Sequence, residues 1–183
     1  MKTFNDLVVV KQALDPLWEV MRDRLPELAE HLDDIDHIAC LKRELHGDHC
    51  LRLCNQWFSV HKIPSILHAM LGDEPISWLD TNEWDNSEHI CRWAIEPSVL
   101  RDHIRCSGQT RYTPAMGGRG TRIQFTGEFA ILPGVLNTFS GALEKPFLAF
   151  IESMVTTLIP KNLRRTIEVA GQFIQKEASA EIG

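Results

Sequence analysis

The sequence predicts an α+β fold in two layers, an antiparallel sheet of roughly six or seven strands covered by a long C-terminal helix. Three observations carry this. Residues 4–131 are dominated by β-branched or alternating runs separated by Gly, Asn, Asp and Ser turns. Over residues 143–178 the period changes: Leu143, Phe147, Phe150, Ile151, Met154, Val155, Leu158 and Ile159 recur three and four apart, the spacing of one broad helical face. The strand-like runs are joined mostly by short polar turns, as hairpins require. A chain of 183 residues suits a single domain, 1–183, able to bury a core without disulfides or metals.

Residues 4–11, with Val8, Val9 and Val10, read as a first strand. Asp15 can cap a following helix that has Pro16 in its first turn. Leu17, Val20, Met21, Leu25 and Leu28 form the apolar face, and Pro26 divides the segment into two short helices. Residues 37–45 and 49–58 form a hairpin about His46-Gly47-Asp48. An apolar, helical insert is expected over 62–71. Two further pairs follow, 76–84 with 89–96 and 104–112 with 121–131. The last strand alternates cleanly, with Ile123, Phe125, Gly127, Phe129 and Ile131 on one face and Arg122, Gln124, Thr126 and Glu128 on the other. Pro133-Gly134 ends it, and a linker at Ser140, Gly141 and Ala142 leads to the terminal helix. Pro160 should kink that helix, or break it by one residue, between 158 and 161.

A net charge of −6 and a pI near 5.7 offer no general attraction to phosphate backbones, so nucleic acid is not an expected partner. No run approaches the roughly eighteen apolar residues of a membrane span, and the N-terminus lacks the features of a signal peptide. A soluble, cytoplasmic protein is the expectation. The five cysteines (Cys40, Cys50, Cys54, Cys91, Cys106) are odd in number, lack a CxxC pair and read as reduced, buried thiols.

Several phrases then matter together: Gly120-Thr121-Arg122-Ile123 running into Phe125-Thr126-Gly127-Glu128-Phe129, the preceding Arg105-Cys106-Ser107-Gly108, Ile76-Ser77-Trp78 with Trp84-Asp85 and Arg92-Trp93, and Ile159-Pro160-Lys161-Asn162-Leu163. In their order the chain resembles the START-like, helix-grip superfamily, which includes pollen-allergen proteins, polyketide cyclases and coenzyme Q-binding proteins. The resemblance implies a curved sheet gripping the terminal helix and an apolar cavity between them for lipid-, polyketide- or isoprenoid-like molecules. The 62–71 insert departs from the family pattern and could serve as a lid or an interface.

Period two places Trp93 with Cys91, and Tyr112 with Thr110 and Cys106, on the face shared by Phe125 and Phe129. Trp57 brings Asn55 inward, and Leu41 brings Arg43. Arg43, Asn55, Thr110 and the Tyr112 hydroxyl each need a partner if buried, which water and the polar head of a ligand would supply; a register one residue different would turn them to solvent instead. Phe147, Phe150, Met154 and Leu158 of the terminal helix complete the expected cavity wall.

Other constellations give less. His46 and Cys50 in one strand would stand about 13 Å apart, whereas zinc ligands lie about 2 Å from one ion, so no metal or cofactor is expected. Gly117, Gly118 and Gly120 precede a strand rather than a helix, which suits a hairpin loop better than a phosphate cradle. There is no GxSxG, HExxH or P-loop, and nothing brings His61, His68 or His103 into a triad. The leading expectation is therefore non-catalytic carriage of a small hydrophobic molecule. One alternative is a polyketide cyclase or hydrolase using Arg43, Tyr112 or a histidine. The other is a protein-interaction module that docks through Ile63, Ile66, Leu67 and Met70 of the insert.

Overall fold

The computed structural model describes residues 2–68, 72–73, 75–99, 101–132, 144–153 and 159–180. Seven strands, β1 (Lys2–Val10), β2 (Ile35–His46), β3 (Cys50–Lys62), β4 (Pro75–Asp85), β5 (Ile90–Pro97), β6 (Ile104–Ala115) and β7 (Gly120–Ile131), make one curved sheet. Its order is β1-β7-β6-β5-β4-β3-β2, and every neighbouring pair is antiparallel. From β2 to β7 each strand pairs with its successor in sequence. Only β1 reaches across the chain, to β7.

Four helices are described: α1 (Leu14–Asp23), α2 (Leu25–Leu28), α3 (Glu144–Ser153) and α4 (Ile159–Ala180). In α1 the N-cap is Ala13, which makes no side-chain cap; Asp15 lies inside the first turn, where its charge still meets the exposed amides favourably. Pro26 lies in the first turn of α2, which begins at Leu25, and Leu17, Val20, Met21, Leu25 and Leu28 are all buried. Phe147 and Ile151, four residues apart on α3, are buried too. In α4 the buried set includes Asn162, Thr166, Ile167, Val169 and Ala170. Pro160 falls in α4, whose described residues begin at Ile159, and the expected kink between 158 and 161 lies partly outside the described residues. Residues 154–158, with the expected wall positions Met154 and Leu158, lie outside the described residues, as do Leu143 and the 133–142 linker.

Two hydrogen bonds fix α4 against the sheet. Gln12 Nε2 donates to the Gly171 carbonyl at 3.0 Å, and Thr121 Oγ1 donates to the Gln12 carbonyl at 2.7 Å. The exposed pairs Arg164–Asp6 (2.8 Å) and Arg24–Glu177 (2.7 Å) add at most about 1 kcal/mol each.

One cross-strand row spans all seven strands: Phe4, Gly127, Gly108, Trp93, Asn82, Leu53 and Arg43 stand opposite one another in turn. A Cβ added at Gly108 would come within 2.2 Å of the Thr126 carbonyl and 2.5 Å of the Trp93 ring, and one at Gly127 within 2.5 Å of Phe4 and 2.7 Å of Trp93. The two glycines thus leave a shelf on which the indole lies, stacked with Phe4 at a centroid distance of 6.0 Å.

Two expectations are corrected. In the 62–71 segment β3 takes Lys62, so the insert starts later than expected, with a 3-10 helix, Ser65–Leu67, and 69–71 lie outside the described residues. Ile63 and Leu67 are 2% and 0% exposed, anchoring the turn in the core rather than presenting a docking patch; the Ile66 side chain and Met70 lie outside the described residues. Of the five free cysteines only Cys91 and Cys106 are buried, and Cys40 is exposed, where a bulge between Cys40 and Lys42 interrupts β2 at the sheet edge.

Gly108→Ala is expected to destabilise the protein by about 1–3 kcal/mol or more, the usual cost of overpacking against backbone. Urea unfolding measures it, and the neighbouring Gln109→Ala, on the exposed face, should cost under about 0.5 kcal/mol.

Candidate functional site

Between the concave face and the helices lies a cavity of about 100 Å³, several times the roughly 10–15 Å³ that one water needs. Its sheet side is built by alternation. Trp57 comes from β3; Trp78, Asp80, Asn82 and Trp84 from β4; Cys91, Trp93 and Ile95 from β5; Cys106, Thr110 and Tyr112 from β6; Phe125 and Phe129 from β7. The other side is Met21 of α1, Leu25 of α2, Ile151 of α3, and Asn162, Leu163 and Thr166 of α4.

Few polar atoms face this space, and most are tied to each other. Trp93 Nε1 donates to Thr110 Oγ1 at 3.1 Å, and the Cys91 thiol to Asn82 Oδ1 at 3.4 Å. Asn82 Nδ2 donates to the Asp80 main-chain carbonyl, and Trp57 Nε1 to the Asp80 carboxylate, both at 3.3 Å. Thr166 Oγ1 donates to the Asn162 carbonyl at 2.7 Å. Trp84 Nε1 is buried with no hydrogen-bond partner among the described residues, a desolvated donor that costs stability as it stands. Trp84 is held from behind by Trp18 of α1, edge to face at 4.8 Å, and Trp18 also meets Tyr112 at 5.2 Å.

The ionisation states follow from burial. Asp80 is pushed up to about 6 because its charged form is poorly solvated, with hydrogen bonds from Asn82 and Trp57 offsetting only part of the rise. Burial pushes the Cys106 thiol up to about 12 and raises Cys91 and Tyr112 well above their ordinary values. Near neutral pH the thiols and the phenol are therefore uncharged, which makes Cys91 and Cys106 inert as nucleophiles.

Of the residues the sequence nominates, Trp57, Trp93, Thr110, Tyr112, Phe125 and Phe129 face the cavity. Asn55 is buried directly opposite Asp80 in the β3–β4 ladder, outside the lining. Phe147 is buried and Phe150 half-buried on α3, also outside it. Arg43 shares the inner face with Leu53, Asn82 and Trp93 but lies outside the cavity lining. Beyond the β2 bulge it stands opposite Leu53 at the sheet margin, half exposed, with Nη2 donating to Asp23 Oδ1 at the end of α1 at 2.8 Å. Leu41, taken as its inward companion, is 56% exposed. The sequence reading missed Asp80 and Asn82, although period two running back from Trp84 through residues 82, 80 and 78 was the available signal. It also missed Asn162 and Thr166, four apart on the buried face of α4. Among the described residues no group of three His, Cys, Asp or Glu is arranged to hold a metal, and no histidine lines the cavity.

A curved antiparallel sheet closed over a cavity by a long terminal helix defines the architecture, and it is the helix-grip fold. A protein of Thermus thermophilus superposes with a TM-score of 0.65 at 16% identity, covering 96% of this chain and 99% of the other. The Zhui aromatase/cyclase of Streptomyces sp. R1128 does so at 0.65 with 13% identity, covering 97% and 95%. Norcoclaurine synthase of Thalictrum flavum gives 0.56 at 14% identity over 95% and 86%, and one of its structures holds dopamine and hydroxybenzaldehyde. No protein-family model matches the sequence, and no curated protein does; at such identities the likeness is one of fold. No helix among the described residues is long and apolar enough to cross a membrane.

Because the Asp80 carboxyl titrates higher folded than its ordinary 3.8, the folded state holds that proton more tightly, and the ligand-free protein loses stability as pH rises from about 4 through about 6. A rise of about two units corresponds to roughly 3 kcal/mol. Asp80→Asn should therefore be more stable than wild type above pH 6 by up to that amount and should lose its advantage below about pH 4, as read from urea midpoints across pH.

Proposed function

We propose that the protein, over its 183 residues as one ligand-binding unit, binds a small hydrophobic molecule of lipid, polyketide or isoprenoid type in the cavity between sheet and helices, without a covalent step. The carrying observation is the cavity itself, walled by Trp57, Trp78, Trp84, Trp93, Phe125 and Phe129 with a few polar groups set among them. Each apolar Å² that a guest removes from water contributes about 25 cal/mol, and the sparse polar atoms fix its orientation. The fold relatives include an aromatase/cyclase and a synthase, which supports use of the cavity for aromatic-sized molecules. Five free thiols suit a reducing compartment, the cytoplasm.

A catalytic reading rests on a different observation. Arg43 lies away from the cavity, so the groups left to move a proton or polarise a carbonyl are the Tyr112 hydroxyl and Asp80, whose carboxyl near 6 is placed for acid–base work near neutral pH. Turnover lost in Tyr112→Phe or Asp80→Asn with binding retained would favour it.

Native mass spectrometry of protein purified from its source should show a small apolar molecule that denaturing conditions release. Phe125→Ala should weaken rebinding of that molecule about tenfold or more while circular dichroism stays unchanged. An empty protein that also gives no thermal shift with a broad panel of apolar compounds overturns the reading.

A further inference from the structure

Asp80 is the one residue of the described cavity lining that carries a full charge near neutral pH; no Lys, Arg or His stands among those residues. An ionised carboxylate only accepts hydrogen bonds and offers about four lone-pair sites. Its side-chain oxygens receive the Trp57 indole at 3.3 Å, a long bond, with Asn82 beside it. A buried charge is ordinarily met by an opposite charge. Asp80, partly buried, meets the Trp57 indole and no cation among the described lining residues. Trp57, which touches the carboxylate, is stacked on Trp78 at 5.6 Å and 16°, and both line the cavity, as do Trp84 and Trp93. Faces of indole rings attract cations, most strongly where water is excluded.

Resting on the cavity reading above and naming its ligand more closely, the geometry points to an organic amine bound as its ammonium, with the nitrogen on Asp80 and the apolar body among the tryptophans. An ammonium satisfies both requirements at once: it donates charge-assisted hydrogen bonds to the free lone pairs and supplies the counter-charge that the lining lacks. A neutral alcohol would donate one hydrogen bond and leave the charge unbalanced. An anionic ligand, such as a fatty acid, would set its carboxylate beside Asp80 with no cation between them.

The test uses two probes of nearly equal shape, 2-phenylethylamine and propylbenzene, titrated calorimetrically into the whole protein. At about pH 7.5, with Asp80 ionised, the amine should bind at least tenfold more tightly than the hydrocarbon. At about pH 5 roughly a tenth of Asp80 remains ionised, so the amine's affinity should fall about tenfold while that of propylbenzene holds. The titratable neighbours in the lining are Cys91 of β5 and Cys106 and Tyr112 of β6. All three stay neutral over this range, the α1, α2, α3 and α4 lining residues carry no titrating group, and an alkylammonium keeps its proton. The pH profile therefore reports Asp80. Asp80→Asn should abolish the preference for the amine, bringing the affinities of the two probes within about threefold of each other. Equal affinities for the two probes, a flat pH profile, or a preference that survives Asp80→Asn overturns the inference, and if that variant does not fold the wild-type pH profile decides alone. Binding of propylbenzene without preference removes only the amine; failure of both probes removes the cavity reading as well.

Discussion

The indole of Trp93 lying across two adjacent glycines is the contact on which the rest of the concave face depends. Gly108 and Gly127 sit opposite each other in the β6–β7 ladder, and Gly108 is in turn the cross-strand partner of Trp93. With no side chain rising from either, the ring occupies the floor rather than standing up into the space above it. Trp93 then anchors its nitrogen on Thr110 and stacks against Phe4, so three strands are tied by one side chain. A cavity persists above this floor because the bulk has been laid flat. The α1, α2 and α4 helices roof it instead of collapsing into it.

Around that floor the polar groups are arranged with unequal satisfaction. Thr110 and Cys91 have partners, Asp80 is partly compensated, and Trp84 Nε1 has none among the described residues. A core selected only for packing would remove such groups, since replacing a buried polar group with an apolar one of like shape is often neutral or stabilising. Their concentration around the same void supports the proposal that it is a ligand site and not an imperfect core. Trp84 and Asp80 lie two alternation steps apart on the same strand and face.

Much of this was legible in the chain. Strand alternation in β7 announced the covered face through Ile123, Phe125 and Phe129, and helix periodicity announced α1 and α4. Where the reading failed, a physical cause can be named. Arg43 does share the inner face, because the bulge after Cys40 resets the alternation and sets it opposite Leu53, but it stands on the edge strand, beyond the cavity, and period two does not tell how far along a face a void extends. The 62–71 segment looked helical because short apolar runs do not distinguish a helix from a core-anchored turn. Asp80 and Asn82 escaped because polar residues between tryptophans read naturally as the wet face, whereas Leu79, Thr81 and Glu83 take the outer side of β4. Reversal of polarity on one strand is a signal of a polar site in an apolar wall, and it can be recognised only once the neighbouring strands fix which face is which.

The pairing of β1 with β7 has a consequence in time. Strands β2 to β7 can add one after another as the chain lengthens, each finding its partner in the hairpin just made, but Lys2–Val10 has no ladder to join until Gly120–Ile131 exists. At about 5–20 residues per second that is a wait on the order of ten seconds, during which Val8 and Val10 lack the β7 ladder that they later join. The first of the seven strands to be synthesised is thus among the last to be seated. Asp6 and the charged residues near it, later bound to Arg164, keep a nascent edge-strand sequence from being uniformly apolar while it waits.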